Sequence, residues 1–191
     1  MKQKILYLAA IIIGLSIISG GTFAYFTAED TARNEITTGG VAVEVVEQQV
    51  ANGELLPYSD PVLPIMPGTS VSKIVSVQST EQAAWVRMSY TVALYDKSGN
   101  PIDVPAAALS EMIVITPNTE AWALHDGWWY CNTAVQANET TAPLFETVAF
   151  SGPNMGNEYQ GCTVQIHITA QAVQQANNGH TVTEAVGWPE T

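Results

Sequence analysis

The amino-acid sequence predicts an all-β protein, an antiparallel, jelly-roll-like β-sandwich with short helices confined to loops. From Ala84 to Tyr95 apolar and polar residues alternate, and the same period returns over residues 162–172. Period two over this length is typical of strands that bury one face. Further runs rich in Val, Thr and aromatic residues are separated by turn sequences, at residues 41–50, 71–78, 112–116, 127–134 and 144–150.

The two alternating runs also predict which side chains face the core. In the later run the even positions from Cys162 to Ala172 face inward. The odd positions face solvent, namely Thr163, Gln165, His167, Thr169 and Gln171. Helix is scarce; a short one is predicted over residues 105–109, with Pro105 at its start.

The N-terminus has the layout of a secretory signal peptide. Lys2 and Lys4 precede an apolar run over residues 5–18, and small residues follow up to Ala24. The run predicts a signal helix of about 21 Å, short of a hydrocarbon core of about 30 Å; a retained anchor is the alternative. We therefore predict cleavage between Ala24 and Tyr25, with membrane contact only before it. The predicted parts are a signal peptide (1–24), an N-terminal segment (25–38) and a β-sandwich domain (39–191).

The charge balance restricts the class of partner. The chain carries 18 acidic and 6 basic residues, and Lys2 and Lys4 leave with the leader. An acidic surface argues against nucleic acid, whose phosphates require basic residues, and against anionic lipid. This composition suits a secreted, extracellular protein.

Cys131 and Cys162 are the two cysteines of the chain. An even number in an exported protein suggests one disulfide between them. Two buried thiols are the alternative.

No catalytic or cofactor motif is recognisable. The chain has no HExxH zinc motif, no GxSxG nucleophile motif, no glycine-rich phosphate loop and no calcium loop, and its three histidines are dispersed. We therefore expect no enzyme, no cofactor and no metal. Trp128 and Tyr130 should share one face of a strand, either as a carbohydrate platform or as packing and cross-strand contacts.

Several sequence segments resemble the TasA/camelysin family of biofilm-matrix fibre proteins, which a dedicated signal peptidase, SipW, processes. Residues 20–27 (GGTFAYFT) and 38–43 (TGGVAV) carry the resemblance most specifically. Residues 66–73 (MPGTSVSK), 84–87 (AWVR), 126–130 (DGWWY), 142–145 (APLF) and 172–174 (AVQ) continue it in order. The series spans nearly the whole chain and is most similar to the clostridial BsaA-type branch.

The resemblance implies self-association into fibres after cleavage by a SipW-type signal peptidase. In this family a freed N-terminal segment completes a β-sheet of the next subunit. Here the donor would be residues 25–36, with Tyr25, Phe26 and Ile36 as apolar anchors; a linker is the alternative. Accessory matrix proteins are further candidate partners. The alternatives in function are a monomeric adhesin, a minor fibre subunit, or a camelysin-like metal-dependent peptidase.

Overall fold

A computed structural model describes residues 41–58 and 62–189. Within them the chain forms eleven strands, one short helix and one 3-10 turn. In chain order these are β1 (Val43–Ala51), β2 (Glu54–Pro57), β3 (Leu63–Pro64), β4 (Ser70–Ser79), β5 (Ala84–Tyr95), β6 (Pro101–Ile102), α1 (Ala106–Met112), β7 (Ile113–Ile115), β8 (Trp122–His125), β9 (Trp128–Cys131), β10 (Phe145–Phe150), the turn Asn157–Tyr159 and β11 (Thr163–Gln174).

The strands form two sheets. The first has the order β2-β1-β4-β10-β7; the second has the order β3-β11-β5-β9-β8, with β6 also paired to β5. Every strand pairing in the described residues is antiparallel. The predicted all-β sandwich is therefore confirmed.

The core lies between the two sheets. Alternate residues of the long strands pack into one cluster that draws on both sheets, including Val75, Val77, Val86, Met88, Val148, Val164 and Ile168. Trp122, Phe145 and Phe150 fill much of the remaining volume. A fully buried side chain of this kind contributes about 1.5–3 kcal/mol, so the inward face of each strand fixes its register.

All seven predicted strand regions contain a strand. The sequence did not predict β2, β3, β6 and β8, which are two to four residues long. The helix begins after Pro105 as expected but extends to Met112. Within residues 41–58 and 62–189 no helix is long and apolar enough to cross a bilayer.

Two hairpins share one turn chemistry. Asn52-Gly53 joins β1 to β2, and Asp126-Gly127 joins β8 to β9. All four residues have positive φ, at 56° and 82° in the first turn and 48° and 80° in the second. Two-residue turns with this backbone match the right-handed twist of paired strands, and Gly, Asn and Asp adopt it most readily.

Candidate functional site

The predicted cleavage residues Ala24 and Tyr25, and the predicted anchors Tyr25, Phe26 and Ile36, lie outside the described residues. The predicted divisions at residues 24 and 38 do as well. These remain predictions.

The candidate disulfide between Cys131 and Cys162 is not formed in this structure. Both are free, buried thiols. Cys131 follows Tyr130, which pairs with Arg87 of β5; Cys162 precedes Thr163, which pairs with Tyr95 at the other end of that strand.

Arg87 and Tyr95 are eight residues apart, or about 26 Å along a strand. A disulfide needs Cα atoms about 4.4–6.8 Å apart, so the fold separates the two cysteines too far for a bridge. Burial also raises the pKa of the Cys131 thiol, against the opposing effect of hydrogen bonding to Thr133. The structure therefore favours two buried thiols.

The long strand β11 is paired very differently on its two sides. On one side all twelve residues, Thr163 to Gln174, pair with β5. On the other side, the described strands pair only with Thr163 and Val164, through the two residues of β3.

The first sheet ends in a similar way. β1 pairs with β4 from Val43 to Gln48, whereas β2 pairs only with Gln48 to Ala51. β1 and β11 also contact each other, so these two strands lie on the same side of the sandwich. Val41 and Val43 are buried here, where the chain enters the described body.

The side chains of β11 largely follow the predicted alternation. Val164, Ile168, Ala170 and Ala172 are buried in the core. The prediction that Gln171 faces solvent is wrong, because this side chain is only 2% exposed. The reason is the segment after β11, which folds back over the outer face of the second sheet.

This returning segment builds a second apolar cluster, which we call the tail cluster. It consists of Trp85, Tyr130, Val173, Val182 and Ala185, with Trp128, Ala134 and Trp188 packed against it. Polar contacts hold the segment in place: the Trp85 indole N–H donates to the Asn178 carbonyl at 2.9 Å. The Asn178 side chain in turn bonds to the backbone of Val186 in both directions.

Arg87 lies inside this cluster. Its guanidinium carbon is 4.4 Å from the Trp128 ring centroid and 4.7 Å from that of Trp188. Nε and Nη2 donate to Gln171 Oε1 at 2.9 and 2.6 Å, and Nη1 donates to the Tyr130 hydroxyl at 2.9 Å. Trp128 and Tyr130 therefore share a face, as predicted, and that face packs on an arginine.

A second cation is buried in the first sheet. Lys73 is 4% exposed, and its Nζ lies 2.8 Å from Glu47 Oε1. The same Nζ is 4.1 Å from the Tyr58 ring centroid. Because Lys73 shares the inward parity of Val75 and Val77 on β4, this ion pair belongs to the sandwich interior and acts as a structural element.

The described residues offer no metal-ligand set. Within residues 41–58 and 62–189, no three His, Cys, Asp or Glu side chains are grouped so that they could hold a metal ion. A surface pocket of about 350 Å³ lies beside Asp96, Tyr159 and Cys162. Hydrogen bonds from the Asn100 side chain and from the loop backbone lower the pKa of Asp96, so its oxygens serve the loop itself.

Comparison with known proteins gives one finding. Residues 1–64, a third of the chain, match a family model described as camelysin metallo-endopeptidase. No curated protein and no solved structure matches the chain. The expected resemblance to the TasA/camelysin family is therefore confirmed, while the BsaA-type branch stays a prediction. The match ends at the last residue of β3 and includes the whole N-terminal segment.

Proposed function

We propose that this chain, which resembles the TasA/camelysin family, is a secreted structural subunit of an extracellular matrix fibre. In this proposal a SipW-type signal peptidase removes the leader. The freed segment of residues 25–36, here called the arm, then adds to a sheet of the next subunit. The observation that carries the proposal is the match of residues 1–64, which include the predicted leader and the arm, to the camelysin family model.

Strand addition is favourable where a sheet can be extended laterally, because the added backbone satisfies N–H and C=O groups along the edge. An extended arm of twelve residues spans about 40 Å, which is long enough to add one strand to a sheet of a neighbouring subunit.

The proposed contact leads naturally to a fibre. A donor arm at one place on the subunit and an acceptor strand at another form a head-to-tail contact. Such contacts propagate into a filament unless the rotation between subunits closes a ring.

The test compares the chain that starts at Tyr25 with two double variants. Thr31→Pro/Ala32→Pro places proline at two successive arm positions, so at least one lost N–H would have faced the acceptor. Thr37→Pro/Thr38→Pro is the matched control beyond the arm. We expect filaments by electron microscopy from the starting chain and from the control, and at least a tenfold loss from the arm variant.

Circular dichroism checks that all three chains fold alike. Equal filament formation by the two proline variants would contradict strand donation. A monomeric starting chain in sedimentation velocity would contradict fibre formation itself and would favour an adhesin.

A second candidate function is suggested by the matched family's description as a metallo-endopeptidase. Among the described residues no three His, Cys, Asp or Glu side chains are grouped so that they could hold this metal. Casein cleavage by the purified chain, suppressed by a chelator and restored by Zn²⁺, would support this function. If casein is not cleaved by the purified chain alone, with the chelator or with added Zn²⁺, peptidase activity on this substrate is excluded.

A further inference from the structure

We infer that a trypsin-like protease can cut the folded body, over residues 41–58 and 62–189, at one place. This place is the turn between β5 and β6, after Lys97, and Asp96 limits the rate of the cut. The protease hydrolyses the Lys97–Ser98 amide with water, which leaves a carboxylate on Lys97 and an amine on Ser98. The cut does not depend on fibre formation.

The site follows from what this class of protease requires. The lysine or arginine before the cleaved bond enters a pocket with an aspartate at its base, so its native contacts have to break. The chain around the bond also has to open, because proteolysis acts on the transiently opened state. Within residues 41–58 and 62–189 the basic residues are Lys73, Arg87 and Lys97.

Lys73 is held in the first sheet. Its side chain is buried, and its Nζ forms the ion pair with Glu47 at 2.8 Å. Its strand, β4, lies between β1 and β10, so the bond after Lys73 becomes accessible only when the sheet opens. A cut there therefore requires unfolding of the core.

Arg87 is held in the second sheet. Its guanidinium donates hydrogen bonds to Gln171 and Tyr130. It also packs against the rings of Trp128 and Trp188. Because β5 lies between β11 and β9, a cut after Arg87 requires the loss of both the tail cluster and the strand pairing.

Lys97 is exposed and lies in the turn of residues 96–100. The next strand, β6, has two residues, which pair with Leu94 and Tyr95 at the end of β5. Opening this turn is therefore a local motion that leaves the rest of the sandwich paired. Exposed loop tips of this kind are the preferred sites of proteolytic nicking.

Asp96 holds the turn closed. Its carboxylate accepts hydrogen bonds from Ser98 N at 2.7 Å, from Asn100 N at 2.8 Å and from Asn100 Nδ2 at 3.0 Å. The backbone adds two bonds, from Gly99 N to the Asp96 carbonyl at 3.0 Å and from Asp96 N to the Asn100 carbonyl at 2.8 Å. Since the rate of cutting follows the population of the open turn, removal of the carboxylate should raise it.

A cut after Lys97 should leave the sandwich assembled. It separates β1–β5 from β6–β11, and the pairing of β5 with all twelve residues of β11 joins the two parts. β4 and β10 also pair across the cut. We expect the nicked protein to elute as one species in native gel filtration and to separate into two fragments in denaturant.

Limited trypsin digestion of the chain that starts at Tyr25 tests the site, with fragments identified by mass spectrometry. We expect one cut within the described body, after Lys97, and none there in Lys97→Gln. Cuts after Arg33, which lies outside the described residues, are recognised by mass and counted separately. Cuts after Lys73 or Arg87 at a rate comparable to that after Lys97, or a body that is not cut at all, would overturn the site.

Asp96→Ala tests the closed turn. The initial rate of cutting after Lys97 should rise at least tenfold, whereas Asp103→Ala, which removes an exposed carboxylate just beyond β6, should leave the rate unchanged. Because residue 96 is next to Lys97, peptides of residues 91–102 with Asp or Ala at position 96 give the intrinsic rates by which both chains are normalised. A normalised rate that does not change would overturn the role of Asp96.

Asn100→Ala gives an independent check. It removes one of the three bonds to the carboxylate and should raise the rate a few-fold. If cuts after Lys73 show that Asp96→Ala unfolds, Asn100→Ala alone decides, and an unchanged rate in this variant would overturn the role of Asp96.

Discussion

Lys73 and Arg87 both pack against other side chains of the folded protein, but different groups stabilise their two charges. Lys73 lies in the sandwich interior and pairs with a carboxylate, Glu47, at 2.8 Å. Arg87 lies on the outer face of the second sheet, between the rings of Trp128 and Trp188. Within the described residues no carboxylate comes within ion-pairing distance of Arg87.

This difference between the two sites follows from how strongly each cation is hydrated. A buried ammonium is a compact, strongly hydrated charge that needs an anion close by. A guanidinium is planar and weakly hydrated, so aromatic faces and neutral oxygens such as Gln171 Oε1 can satisfy it. The sandwich interior therefore depends on one ion pair, and the tail cluster depends on stacking.

The largest effect is expected at the ion pair. Glu47→Ala leaves the Lys73 charge buried without its partner and should lower the free energy of unfolding by about 3 kcal/mol. Urea unfolding measures the loss, with the exposed Glu44→Ala on the same strand as the control. A double change to Glu47→Leu/Lys73→Met should recover most of the stability; a double variant as unstable as Glu47→Ala would show that the charge is not the cause.

A smaller effect is expected at Arg87. Arg87→Lys keeps the charge but loses the fork of hydrogen bonds and the stacking, and should cost about 1.5 kcal/mol. Lys97→Arg, a similar exchange in an exposed loop, should cost almost nothing. A double-mutant cycle of Arg87→Lys with Trp188→Leu should show a coupling of about 1 kcal/mol; additive losses would mean that the two groups do not act together.

The smallest effect is expected in the thiol reactivity of the two cysteines, which lie near opposite ends of β5. Because both thiols are buried and burial raises the pKa of Cys131, the native protein should react with a thiol reagent slowly or not at all. In denaturant two thiols per chain should react. A count of zero in denaturant would reveal a disulfide and contradict the separation along β5.

The sequence predicted the sandwich well and its edges poorly. Long alternating runs such as β5 and β11 can be predicted as strands from the sequence alone, because one face of each strand packs on the core. The strands β2, β3 and β6 are short, and each contains a proline, Pro57, Pro64 and Pro101 respectively. Proline is confined to strand ends and edges, so these pairings follow from the tertiary fold and leave little local pattern.

The candidate site was predictable only in part. The aromatic pair at the expected cleavage point predicts the arm, which lies outside the described residues and stays a prediction. Arg87 and Gln171 had the pattern of solvent-facing strand residues. The partial burial of Arg87 and the burial of Gln171 come from the segment that carries Val182 and Trp188. This segment is distant from Arg87 in sequence, so no local pattern could predict the contact.

The central claim is that the arm of one subunit adds to a sheet of another. The most direct measurement adds a synthetic peptide of residues 25–36 to the chain that starts at Tyr25 and follows filament mass by light scattering. The account predicts that excess peptide occupies the acceptor sheet and suppresses filaments, while a peptide of the same composition in scrambled order does not. Unchanged filament mass at saturating peptide, or equal suppression by the scrambled peptide, would contradict it.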